Sequence, residues 1–197
     1  MKDKTVYVVS GFMRTGTSMM MKALEAGGMV ASYRQSRDVM KNRFADEHYD
    51  PNIGGLYELE LKDYREFGFP RKYCGKLIKA LNQGVPRMAT MKDGIRVVFM
   101  KRNLEEIRQS YDAFFGRQLQ DVVKLEEMMN DITDRIRNRK DVLSLDIFWY
   151  RDVVENPLKY FKILKDKGWD IDYKKSATIV DPKYYRYKLE ELTVGVL

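Results

Sequence analysis

Cysteine and histidine are nearly missing from this chain: its 197 residues hold one of each, Cys74 and His48. A single cysteine excludes an intramolecular disulfide and a thiolate metal cluster. A zinc site would need several histidine or cysteine ligands, and a Ser-His-Asp triad would have to use His48, so no metal and no triad chemistry are expected. Long apolar runs are missing too, none approaching the roughly 20 residues that cross a bilayer. The apolar stretch after Lys2 and Lys4 stops at Ser10-Gly11, before a signal-peptide core could form. The chain is therefore expected to work in the cytosol, with no membrane partner.

What is present suits a soluble globular protein: 44% hydrophobic and 33% charged residues, too apolar for a disordered chain. The length fits one domain spanning 1–197 that can bury a sizeable core. A net charge of +7 favours anionic partners, among which charge alone does not choose.

Strand and helix signals alternate. Lys4–Ser10 reads as a short buried strand, with Val6, Tyr7, Val8 and Val9 ended by Gly11. Thr17–Ala26 reads as a helix stopped by Gly27-Gly28. The stretch from Met29 to Tyr73 is polar, aromatic and irregular, a composition expected of a segment that covers a site. Gly75–Ala80 and Arg96–Met100 are two more strand candidates. Asn103 follows as an N-cap, with Glu106 placed to close a capping box and Ile107, Tyr111 and Phe114 on one face of the helix. Val122, Leu125, Met129, Ile132 and Ile136 recur every three or four residues, giving a long amphipathic helix within Arg117–Arg139. Val142–Leu145 is a short strand and Pro157–Lys167 a helix with proline in its first turn. The basic run Arg135–Lys140 reads as the charged end of the long helix, since no aromatic residue interrupts it as a nucleic-acid patch would require. Strands alternating with helices imply parallel pairing through right-handed crossovers, hence an α/β fold with a central, mainly parallel sheet flanked by helices.

The segment Gly11-Phe12-Met13-Arg14-Thr15-Gly16-Thr17-Ser18 has the spacing of a phosphate loop, with Thr17 where a lysine is usual. Its glycines let backbone N–H groups turn inward at the start of a helix whose dipole favours anions. Thr17 and Ser18 add hydroxyl donors, and Arg14 supplies a cation from the loop itself. The missing lysine argues against ordinary ATP or GTP hydrolysis.

Phe12 to Ser18 resembles the loop of the sulfotransferases, commonly P-R-S-G-T-S/T, with Met13 in place of the usual proline. Lys101-Arg102-Asn103-Leu104 with Ser110 is similar to that family's second signature, an arginine at a strand end with a serine eight residues on. Asn52–Glu58 is similar to an N-P-x-G-[FY]-[YW]-E stretch, with Ile53 in place of proline and one extra residue. Tyr150–Pro157 resembles Y-E-D-L-V-x-x-P, and Val180-Asp181-Pro182 with Arg186 resembles the C-terminal V-D-P…R. The resemblance runs from Val6 to about Arg186.

It implies a three-layer P-loop NTPase-like fold and transfer of a sulfuryl group from 3′-phosphoadenosine 5′-phosphosulfate (PAPS) to a small-molecule or glycan acceptor bearing a hydroxyl or amine, with 3′,5′-adenosine bisphosphate as product. Arg14, Thr15, Gly16, Thr17 and Ser18 would hold the 5′-phosphosulfate, and Arg102 with Ser110 the 3′-phosphate. Ser110 lies two helical turns after the cap Asn103, so it returns to the same face, within reach of a long arginine. Glu58 is the first candidate for the acceptor base, with His48 and Asp50 as rivals. Two other functions fit the loop: a phosphotransferase requiring Mg²⁺ and ATP, and a non-catalytic nucleotide-binding protein, to which the departures at Met13, Ile53 and Asn103 point.

Overall fold

In a computed structural model, the described residues are 4–32, 59, 64, 68–81, 83–116, 118–119 and 121–189. Four strands form one sheet: β1 (Val6–Gly11), β2 (Leu77–Lys79), β3 (Ile95–Lys101) and β4 (Val142–Trp149). Their order is β2-β1-β3-β4 and every pairing is parallel. The helices are α1 (Thr17–Ala26), α2 (Gly84–Arg87), α3 (Leu104–Phe115), α4 (Val122–Arg137), α5 (Tyr150–Glu155), α6 (Pro157–Asp166) and α7 (Tyr173–Thr178).

The strands are nearly continuous apolar runs because both sheet faces are buried. Alternate residues feed two cores. Tyr7, Val9, Val98, Met100 and Phe148 pack with Met20, Met21 and Leu24 of α1, Val153 of α5 and Phe161 and Leu164 of α6. Val6, Val8, Val97 and Phe99 face the other way, onto Val85 of α2 and Ile132 and Ile136 of α4. The sheet is thus the middle of three layers. A third cluster, Phe12, Ile107, Leu125 and Met129, seals α3 and α4 against the loop after β1.

Three expectations need correction. The last strand runs on to Trp149, because Asp146, polar in sequence, sits inside it with one carboxylate oxygen held by Lys167. The second strand is only Leu77–Lys79, since Gly75 has a positive φ of 70°. Asn103 does cap α3, accepting from the N–H groups of Glu105 and Glu106 at 2.9 and 3.4 Å. Glu106, however, does not close a capping box: its carboxylate is spent on Arg102, Tyr185 and the Leu189 amide.

The basic run at the end of α4 is largely ion-paired: Arg135 with Asp131, Arg137 with Asp134, and Arg139 with the buried Asp141 at 2.8 Å. Arg139 also donates to the Val85 and Met88 carbonyls, while Asp141 accepts from the Met91 amide at 2.8 Å, so this pair ties α2 to the start of β3. Among the described residues, no helix is long and apolar enough to cross a membrane.

Burial works to raise the Asp141 pKa, but the Arg139 and Met91 hydrogen bonds outweigh it and hold the carboxyl below its ordinary value. A group depressed on folding stabilises above its unfolded pKa, about 3.9, and that stabilisation is lost as pH falls through the depressed folded value. Asp141→Asn is expected to cost about 3 kcal/mol at neutral pH by stranding Arg139. It should also flatten the loss of stability below roughly pH 4. Urea unfolding at several pH values checks both effects.

Candidate phosphate-binding site

Strand register decides what meets at the C-terminal edge of the sheet. Gly11 pairs with Met100 and Lys101 with Trp149, so the loop after β1, Arg102 after β3 and Tyr150 after β4 leave the sheet as neighbours. Val9 pairs with Lys79, bringing the end of β2 alongside.

The loop needs its two glycines for separate reasons. Gly11 has φ of 145° and lies so close to β3 that a Cβ would stand 2.6 Å from the Met100 carbonyl oxygen. Gly16 has φ of 91°, and a Cβ there would run into the Tyr150 ring, 2.7 Å from Cε2. Gly16 caps α1 without a side-chain hydrogen bond, so no side chain caps the first turn of that helix. This is the anion-favouring end of the helix. Arg14 holds a left-handed φ of 69°, unusual for a residue with a side chain. Thr15 is fully buried, and its hydroxyl donates to the Phe12 carbonyl at 2.7 Å, so it braces the loop from within.

The side chains sort into two groups. At the helix end, Lys79 Nζ donates to Ser18 Oγ at 3.0 Å, although Lys79 is only 2% exposed. A lysine so buried is rare. It brings from β2 the positive charge that Thr17 does not supply. At the second group, Arg14 Nε donates to Ser110 Oγ at 3.0 Å, and its guanidinium lies over Phe114 at 4.9 Å. Arg102 donates from Nη1 to the Arg14 carbonyl at 3.2 Å. Arg14 thus meets, from about 90 residues away, both Arg102 and Ser110.

Arg102 is further fixed from three sides. Its Nε donates to Glu106 at 2.8 Å and its Nη2 to the Tyr187 carbonyl at 3.2 Å. Tyr150 and Tyr185 lie 4.8 and 5.2 Å from the guanidinium carbon. One N–H remains on each terminal nitrogen of this fork. Burial raises both phenols above their ordinary pKa; Arg102 opposes this at each, and Glu106 reinforces it at each. Both rings therefore stay neutral through the working pH range. The C-terminal segment that brings Tyr185 here starts from a turn over Pro182–Tyr184, capped by Asp181, whose carboxylate accepts from the Lys183 amide at 3.0 Å.

The sequence reading reached Arg14, Gly16, Thr17, Ser18, Arg102 and Ser110, and all of these line this edge. Glu58, His48 and Asp50 lie outside the described residues. Lys79 was missed. The signal for it was a lone charge inside the apolar run Leu77-Ile78-Lys79-Ala80-Leu81. Glu106 was read as a cap residue although Arg102 stands only four residues before it, and Tyr185 was missed because its contact with Glu106 spans 79 residues of chain.

A parallel sheet of this order, with a glycine-bounded loop between β1 and α1, is a P-loop NTPase-like α/β fold. No protein-family model matches the chain, and no curated protein matches it in sequence. Solved structures similar to it include retinol dehydratase in complex with androsterone and the inactive cofactor PAP, at 12% identity and a TM-score of 0.47 over 91% of this chain. They also include an unliganded sugar kinase from Janibacter sp. HTCC2649, at 11% identity and a TM-score of 0.41, covering 83% of this chain and 98% of the kinase. The chain spans 64% of the length of retinol dehydratase.

Gly16→Ala puts a side chain into both a left-handed backbone and the Tyr150 ring. The backbone alone costs about 1–2 kcal/mol, and the collision adds to it. A lowered thermal midpoint is expected, and an unchanged midpoint would contradict the packing of Tyr150 on the loop.

Proposed function

We propose that this chain is a PAPS-dependent sulfotransferase, with the donor's 5′-phosphosulfate on the loop and its 3′-phosphate at Arg102. The observation that carries this reading is the convergence of Arg14, Ser110 and Arg102. A nucleoside triphosphate has no second, separate phosphate for such a pair of arginines to hold. The residues suit that group: the fork of Arg102 has two N–H groups to spare, and Arg14 and Ser110 can each exchange their mutual hydrogen bond for phosphate oxygens.

At the other end, the amides of Gly16–Ser18, the hydroxyls of Thr17 and Ser18 and the ammonium of Lys79, which already donates to Ser18, would stabilise the charge that develops on the leaving phosphate. Thr15 would contribute its backbone only, its hydroxyl being occupied. In the reaction, the bond between sulfur and the bridging phosphate oxygen breaks while a new one forms to the acceptor oxygen or nitrogen, and 3′,5′-adenosine bisphosphate departs. The acceptor's proton goes to a general base, for which Glu58 is the first candidate, followed by His48 and Asp50.

A phosphotransferase is the second reading, supported by Lys79, which restores to the loop the cation common in ATP-binding loops. Titration separates the two. In protein first checked for a cooperative thermal transition, because the change strands the buried Glu106 carboxylate, Arg102→Ala is expected to weaken 3′,5′-adenosine bisphosphate binding by about 1.5–3 kcal/mol, the range for hydrogen bonds to charged groups, and ATP binding less. Equal losses for both nucleotides would remove the case for a 3′-phosphate pocket.

Lys79→Met should leave the bisphosphate bound with modest loss and slow turnover sharply, because its charge is placed at the leaving group. Sulfate transfer to a panel of phenols, sugars and amines, followed without added Mg²⁺, supplies the assay. Full turnover by the variant would overturn the role of Lys79. A strict Mg²⁺ requirement with ATP as donor would favour the phosphotransferase.

A further inference from the structure

Glu106 is 3% exposed and stands one helical turn inside α3, where the cap is already complete without it. Its carboxylate is shared between distant parts of the chain. Oε2 accepts from Arg102 Nε at 2.8 Å, while Oε1 accepts from the Tyr185 hydroxyl at 2.6 Å and the Leu189 amide at 3.3 Å. A charge taken so far out of water needs its lone pairs filled. Here one cation and two neutral donors fill them. Burying an Arg–Glu pair is weak support for stability, because desolvation consumes most of the Coulomb gain. What the arrangement does provide is geometry: Arg102 packs against the Tyr150 and Tyr185 rings, which meet edge-to-face at 5.0 Å, with its Nε end tied down to Glu106.

We propose that Glu106 is a positioning residue for the donor's second anion, fastening the C-terminal segment 181–189 over Arg102 so that the free N–H groups of the guanidinium are aimed at a bound phosphate. The proposal rests on the donor reading above. A free arginine at a strand end has several rotatable bonds, and orienting it would cost part of its binding energy. Glu106 sets that orientation before the ligand arrives. The opposite arrangement, a segment that plugs the site through the Tyr187 carbonyl on Nη2, would make release of the segment strengthen binding.

The experiment uses the full chain and two variants, Glu106→Gln and the milder Tyr185→Phe, each checked for a cooperative thermal transition. Hydrogen exchange without nucleotide reads the fastening, and titration with 3′,5′-adenosine bisphosphate and with AMP reads the anion site. Both variants are expected to exchange faster over 181–189. They should bind the bisphosphate about tenfold more weakly, the loss of one charge-assisted hydrogen bond, with AMP affinity nearly unchanged. Unchanged exchange in a folded variant overturns the fastening. Faster exchange with equal or tighter bisphosphate binding overturns the positioning and favours the plug. If the unmodified chain shows no preference for the bisphosphate over AMP, the donor reading fails and the anion role of Glu106 with it, while the exchange data still decide whether Glu106 holds the segment.

Discussion

The arrangement at the sheet edge depends on one guanidinium. Arg102 reaches the loop after β1 through the Arg14 carbonyl, its own helix through Glu106 and the C-terminal segment through the Tyr187 carbonyl. Each partner comes from a different part of the chain. A flat, always-charged fork can bond along its edges while meeting aromatic rings, and Tyr150 and Tyr185, packed edge-to-face on each other at 5.0 Å, both lie against it. Lysine would offer its three donors from a single nitrogen, without the width of a fork whose three nitrogens each meet a separate partner. Removing Arg102 would leave Glu106 as a buried charge without its cation, so the residue is structural before any ligand arrives.

The sheet sets up this convergence through plain chain geometry. Parallel strands all send their C-terminal ends to one edge, and helices on both faces carry the chain back to start the next strand. With both faces covered, the strands can be apolar throughout, and the polar residues that matter are displaced to the loops beyond their ends. Lys79 departs from this, a cation paired within a strand and yet buried.

That division explains how far the sequence could be read. The strand Val6–Gly11, the helix Thr17–Ala26, the cap Asn103 and the long helix of α4 were legible because each is written in local periodicity and terminal signals. Arg14 was singled out by the loop's glycine spacing, whereas Arg102 at the end of β3 and Ser110 within α3 came only through the resemblance to a family signature. Glu106 was misread for a physical reason: three residues after an N-cap, a glutamate looks like part of the cap, and nothing local says that a tyrosine 79 residues later will claim it. Asp146 likewise hid the second half of β4, since a buried carboxylate held by Lys167 cannot be told from a loop residue without the partner in view.

The pairing of β2 with β1 has one more consequence. Side chains alternate along a strand, so a slip of one residue in that pairing would carry Lys79 to the opposite side of the sheet, away from Ser18. In proteins whose cation belongs to the loop itself, the loop keeps its charge whatever the neighbouring strand does. Here Arg14 is the loop's own cation, and the second charge, at Ser18, is on loan from a three-residue strand at the sheet's edge. Correct registry of that short strand thus becomes a proofreading step: a chain folded everywhere else but mispaired at Leu77–Lys79 would keep Arg14 on the loop and lose the second positive charge beside Ser18.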